Sequence, residues 1–275
     1  MAGTIVFAHA NGYPAGTYRV LFDAWQAAGY AVHAIERIGH DPRYGVTSNM
    51  PKLRDELAAF VEAQSDAPVW LVGHSLGGLL GLMLACRRPE LVRGLVMLDA
   101  PIFSGWRAHS LQVMKATGLL KRVSPGKVSR RRRHVWPSRE AAAAHFAAKA
   151  LFARWDERVL ADYVRAGFDD HEGQVVLGFR REIETHIYNA LPHHLDRVVA
   201  MHPPRCPVAY VAARQSVIVR QAGLGLARVL ARERFEWIEG NHLYPMEQPD
   251  ATAATVMRII QNMADGGRER RAASI

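Results

Sequence analysis

The 275-residue chain has only two cysteines, Cys86 and Cys206. Cys86 lies in a helix-like stretch and Cys206 just before an apolar run, so a disulfide framework is not expected and a reducing, cytoplasmic setting is the default. Long hydrophobic runs are also absent. No stretch approaches the roughly 20 apolar residues that span a bilayer. The opening MAGTIVFAHANG has neither a basic n-region nor a long apolar segment, so no signal peptide is read there. No internal repeat is found. His193-His194 and the surroundings of His171 and His186 lack the spacing and partners of a zinc site, so no metal is expected. Carboxylates are missing entirely between Cys206 and Arg232.

The balance of charge is uneven. Of the net +9, residues 101–200 supply +7, from 17 Lys/Arg against 10 Asp/Glu. The run Arg130-Arg131-Arg132-Arg133 is the sharpest point of this surplus. Such a run either attracts anionic substrates or surfaces or is a solvated loop. No aromatic-interleaved basic platform or DNA-binding motif accompanies it, so nucleic acid is not an expected partner.

Short apolar runs alternate with helix-like stretches. Thr4–His9, Ala31–Glu36, Val69–Gly73, Gly94–Leu98, Val208–Ala213 and Phe235–Ile238 read as strands. Tyr18–Ala28, Leu53–Gln64, Leu79–Arg87, Leu224–Arg232 and Asp250–Met263 read as helices. This alternation predicts an α/β protein with a doubly wound, mostly parallel sheet of about six strands. It fails over residues 102–204, which read as Gly105–Leu120, Ser138–Trp155 and Asp156–Gly167 helices, a turn or short hairpin at Gly167–Gly178, and a helix at Glu182–Leu191. The expected organisation is a core of residues 1–101 and 205–275 with a mostly helical cap, 102–204, inserted before the next-to-last strand. Trp106, Trp136, Phe152 and Trp155 would form the cap's small core or face its cleft, and the tail Gly266–Ile275 would fray.

Gly73-His74-Ser75-Leu76-Gly77-Gly78 follows the strand VWLV and opens the helix LLGLMLACRR. That is the strand–turn–helix context of a nucleophile elbow, with glycines where a side chain would clash and helix N–H groups facing a developing oxyanion. With VFAHANGYPAGTY, ERIGHDPRYG and EGNHLYPMEQPD, this block resembles the α/β-hydrolase superfamily over about residues 1–100 and 205–263. The resemblance implies that the chain starts at the first central strand, without the two N-terminal strands many members carry. Glu36 stands where the family's Asp-x-x-Gly-x-Gly turn has Asp.

The resemblance implies Ser75 as nucleophile and His242 as general base. The triad acid most often follows the next-to-last strand, where this chain has Ser216. The known variant at the end of the preceding strand gives Asp99, with an acid-free Ser75–His242 dyad as the fallback. The oxyanion hole would combine the N–H of Leu76 with that of Asn11, or of Tyr13 if Asn11-Gly12 is matched to the family's His-Gly. The expected activity is hydrolysis of carboxylic esters or lactones through an acyl-serine, without cofactor, on a small-molecule substrate with an apolar acyl part. The rivals are other chemistries of the same scaffold (C–C hydrolase, hydroxynitrile-lyase-type, perhydrolase, cofactor-free oxygenase) and a non-catalytic binding member.

Overall fold

A computed structural model of the chain describes residues 3–272. The strands are β1 (Thr4–Ala8), β2 (Ala31–Ala34), β3 (Val69–His74), β4 (Val92–Leu98), β5 (Val135–Trp136), β6 (Phe168–His171), β7 (Gln174–Leu177), β8 (Val208–Ala213) and β9 (Phe235–Ile238). The helices before β8 are α1 (Arg19–Ala27), α2 (Pro51–Gln64), α3 (Leu76–Arg87), α4 (Gly105–Ala116), α5 (Leu120–Val123), α6 (Gly126–Ser129), α7 (Arg139–Ala147), α8 (Glu157–Ala166), α9 (Arg181–Ala190) and α10 (Leu195–Met201). After β8 come α11 (Val217–Ala222), α12 (Gly225–Ala231), α13 (Tyr244–Glu247) and α14 (Pro249–Ala272).

The main sheet has the order β2-β1-β3-β4-β8-β9, and every neighbouring pair is parallel. Buried parallel strands need apolar residues on both faces, and the two-residue period sends alternate side chains to opposite layers. In β1, Val6 and Ala8 join the core under α2 and α3, while Ile5 and Phe7 join the core under α1 and α14. The same split runs through β3: Leu71 falls on the first side, Trp70 and Val72 on the second.

Between β4 and β8 the chain is not purely helical. Val135 and Trp136 pair with Val176 and Val175, and β6 with β7 closes a hairpin, giving a small antiparallel sheet β5-β7-β6. Two expected helices are interrupted. Gly118, at φ +73°, ends the stretch expected to run from Gly105 to Leu120, because that left-handed conformation suits glycine and cannot continue a helix. The stretch expected from Ser138 to Trp155 ends at Ala147. The turn that follows brings Phe152 against Phe146 and sets Trp155 at a tilt beside Phe152 in one aromatic cluster with Tyr163. Ser138 caps α7 by accepting the Ala141 N–H. Trp136, Phe152 and Trp155 are buried, but Trp106 is not part of that core: it stands in solvent on α4. Within the tail that begins at Gly266, α14 has a helical backbone through Ala272; the final residues, 273–275, lie outside the described residues.

Leu71 sits fully buried on the central strand against α3. Leu71→Ala leaves a cavity there and lowers the unfolding free energy by about 2–5 kcal/mol, read as a reduced urea midpoint with unchanged slope.

Candidate active site

Register brings the site together. His74, the last residue of β3, pairs with Leu98, the last of β4, and Leu98 pairs with Val211 of β8. Ser75 and Asp99 therefore leave adjacent strand ends side by side. The Ser75 N–H donates to the Leu98 carbonyl at 2.9 Å, and the Asp99 N–H to the Val211 carbonyl at 2.9 Å. Ligands of open α/β sheets bind outside the carboxyl ends of the strands, where connections leave in opposite directions. Here that point lies between β1, whose chain goes on to β2, and β3.

Ser75 is held at φ 52°, ψ −109°, a conformation rare for a residue with a side chain, and α3 begins at the next residue. Such strain persists only where the surroundings over-determine it. The glycines on either side supply the room. A Cβ on Gly77 would lie 1.9 Å from the Ala8 carbonyl oxygen, and one on Gly73 would lie 2.3 Å from the Gly77 carbonyl carbon. Close approach of β1, β3 and α3 thus requires both glycines.

His242, on the loop after β9, completes the arrangement. Its Nε2 lies 3.0 Å from Ser75 Oγ and its Nδ1 2.7 Å from Asp99 Oδ2. Because a carboxylate only accepts, Nδ1 carries the hydrogen and Nε2 is free to accept the serine proton. Asp99 is fully buried, at φ 46°, and its Oδ1 accepts the Ala213 N–H at 2.8 Å. Ser216, which occupies the commoner acid position, caps α11 instead by accepting the Val219 N–H. The loop carrying His242 is itself pinned. Asn241 accepts the Leu243 N–H and donates to Glu247, and Glu247 pairs with Arg154 of the insertion at 2.9 Å.

The loop after β1 lies opposite. The Tyr13 N–H is already spent on the Ala10 carbonyl, whereas among the described residues none accepts the Asn11 N–H. Asn11, Leu76, Ser75 and His242 all face one cavity of about 690 Å³, walled mostly by apolar side chains of the insertion, including Leu111, Leu120 and Ile187. The neutral His9 positions this loop: its Nδ1–H donates to the Ala10 carbonyl and its Nε2 accepts the Ile38 N–H, and burial pulls its pKa down to about 4.

One part of the site has no signature in the sequence. His74 is buried beneath His242, and burial holds its pKa well below the usual histidine value. Its Nε2–H donates to the His242 carbonyl at 2.9 Å, which leaves Nδ1 to accept the Tyr18 hydroxyl at 2.8 Å. The Tyr18 oxygen in turn accepts the Ala10 N–H at 3.2 Å. A chain of buried hydrogen bonds thus joins the loop of Asn11 to the loop of His242. Its members are far apart in sequence, so no local spacing announces it.

A doubly wound parallel sheet with a serine on the strained turn after a central strand, and a histidine and a buried carboxylate in line with it, defines a hydrolase-type scaffold. The chain belongs to the Alpha/beta hydrolase family, whose model matches residues 5–255. It is similar to mouse monoglyceride lipase, 27% identical over 128 residues covering 44% of this chain and 42% of that protein. It is also similar to lipase LipV of Mycobacterium tuberculosis (strain ATCC 25618 / H37Rv), 48% identical over 46 residues covering 17% and 18%. The matched stretches thus span less than half the length of these curated relatives. Among solved structures, E-2-(acetamidomethylene)succinate hydrolase superposes with a TM-score of 0.71 at 18% identity, covering 94% of this chain and 92% of that one. The thioesterase domain from the curacin biosynthetic pathway superposes at 0.68 and 16% identity, covering 93% and 90%. At such identities these two show a shared fold. No helix among the described residues is long and apolar enough to cross a membrane.

Tyr18→Phe removes the hydroxyl that serves both His74 Nδ1 and the Ala10 N–H. Two buried polar groups lose their partner, so the folded state weakens by about 1–3 kcal/mol, measured by urea unfolding of the variant and the parent at neutral pH.

Proposed function

We propose that this chain is a serine hydrolase that cleaves carboxylic esters through an acyl-serine intermediate. The observation that carries the reading is the continuous line Asp99–His242–Ser75 opening into an apolar cavity. Ser75 Oγ attacks the carbonyl carbon as His242 Nε2 takes its proton. Asp99, fixed by the Ala213 N–H, holds the imidazole in the Nδ1–H form and stabilises the imidazolium that results. The N–H groups of Asn11 and Leu76 stabilise the oxyanion, aided by the dipole of α3. Asn11 is preferred to Tyr13 because the Tyr13 N–H already has a partner. His242 then protonates the leaving alcohol. Water, activated by the same nitrogen, attacks the acyl carbon and releases the acid and Ser75. The insertion acts as a cap whose apolar wall receives the acyl part of a small-molecule ester. Lipases among the relatives in sequence support ester bonds as the target.

The test is labelling by a fluorophosphonate probe. The parent protein is expected to form a covalent adduct at Ser75, and Ser75→Ala none; a folded parent that forms no adduct overturns the reading. A graded series of p-nitrophenyl esters then fixes the acyl length. Asp99→Asn is expected to lower kcat by on the order of 10⁴-fold, because the amide favours the wrong imidazole tautomer. Near-parental turnover in that variant rejects Asp99 as the triad acid and leaves the Ser75–His242 dyad.

A further inference from the structure

The mouth of the cavity is apolar on its outer side as well as within. Trp106 of α4 is 70% exposed, Val123 at the end of α5 63%, and Val217 of α11 55%, and all three line the opening. Val128 on α6, just beyond the cavity residues Ser124 and Pro125, is 71% exposed. Soluble proteins seldom gather large apolar side chains in solvent around a cleft unless something covers them.

The segments that form this rim are themselves rich in cations, and the acids beside them, Asp196 at the Gly105 N–H and Glu239 at Arg214, come from other elements. Residues 103–139, which contain α4, α5 and α6, hold ten Lys/Arg and no Asp/Glu. Residues 206–232, which contain α11, hold four Lys/Arg and no Asp/Glu. Lys121, Arg122, Lys127, Arg130 and Arg131 are exposed, and none of them forms an ion pair among the described residues. Arg132 differs from its neighbours in the run: it turns inward to the buried Glu184 at 2.7 Å. Unpaired cations beside exposed apolar side chains match a surface that is anionic outside and apolar within. A polyanion alone would leave the apolar rim uncovered.

We propose that this face docks on an anionic lipid surface, with Trp106, Val123, Val128 and Val217 entering the interface and the basic residues of α5 and α6 meeting the headgroups. Each cation near such a surface strengthens attachment, and buried apolar area adds to it. The cavity then opens toward the lipid phase, so an acyl chain enters without crossing water. That last step rests on the hydrolase reading above; the docking itself does not.

Flotation with vesicles tests the docking. The full chain is expected to bind vesicles of phosphatidylglycerol and phosphatidylcholine, to bind pure phosphatidylcholine weakly, and to be released by high salt. Ser75→Ala is expected to bind as the parent does, which separates docking from hydrolysis. Lys121→Glu/Arg122→Glu/Lys127→Glu is expected to lower partitioning on the order of a hundredfold, and Val128→Asp is expected to lower it too. None of these four residues lines the cavity, so turnover of a short soluble ester stays at the parental level and reports intact folding. Equal binding to neutral and mixed vesicles, or to neither, overturns the proposal. So does binding to a polynucleotide that Val128→Asp leaves unchanged while vesicle binding is absent, which would assign the face to a polyanion.

Discussion

The parallel register between β3 and β4 is the constraint on which the site depends. His74 and Leu98 are partners across the ladder, so the next residues, Ser75 and Asp99, emerge together at the same edge of the sheet. A slip of one residue in a strand sends every side chain to the opposite face. Here it would also drive Trp70 and Leu71 into the wrong layers, against α2 and α3 on one side and α1 and α14 on the other. The apolar pattern that packs the two layers therefore also aligns the serine and the carboxylate. His242 needs only to be delivered across that edge by the loop after β9.

The same packing sustains local strain. Ser75 and Asp99 both have positive φ, a conformation that costs on the order of 1–3 kcal/mol for a residue with a side chain. Neither turn could hold alone. Ser75 is gripped through its N–H by Leu98 and by the start of α3, which the two glycines allow to approach β1 and β3. Asp99 is gripped by Val211 through its own N–H and by Ala213 through its carboxylate. Burial of that carboxylate is tolerable because both oxygens have donors. The hydrogen-bonded chain through Tyr18 and His74 extends the same rigidity to the loops on either side.

What could be read from the sequence follows the range of the interactions. The strand–helix alternation and the six-stranded parallel sheet are local patterns repeated along the chain, and they appear in the structure with boundaries shifted by a few residues. Ser75 declares itself through a contiguous motif in a defined setting. Asp99 enters only through the resemblance, as the family's alternative position for the acid, once the usual position is seen to hold Ser216. Other features have no local signal. The strand Val135–Trp136 exists only because a distant hairpin pairs with it, and two residues carry no period of their own. Gly118 looks like any helix-tolerated glycine until its φ is seen. Trp106 sits in a helix whose apolar positions do not say which faces solvent. The hydrogen bond between Tyr18 and His74 joins residues 56 positions apart.

The place of the Asp99 carboxylate at the end of β4 also bears on the neighbouring strand end. A carboxylate after β8 would have stood at the start of α11, where Ser216 now caps the helix. β4 and β8 are direct neighbours in register, so the end of β4 brings Asp99 to His242 from beside the place that Ser216 holds. With Asp99 on β4, the acid is sealed beneath the histidine and reaches no solvent. The turn from β8 into α11 is then free of negative charge, and α11 can present Val217 and Ile218 outward at the cavity mouth beside the basic helices of the insertion. A buried carboxylate one strand inward and an apolar, mostly basic rim are thus compatible features of one arrangement. The Asp99 carboxylate is kept inside, and α4, α5, α6 and α11 carry no acid of their own toward the surface around the opening.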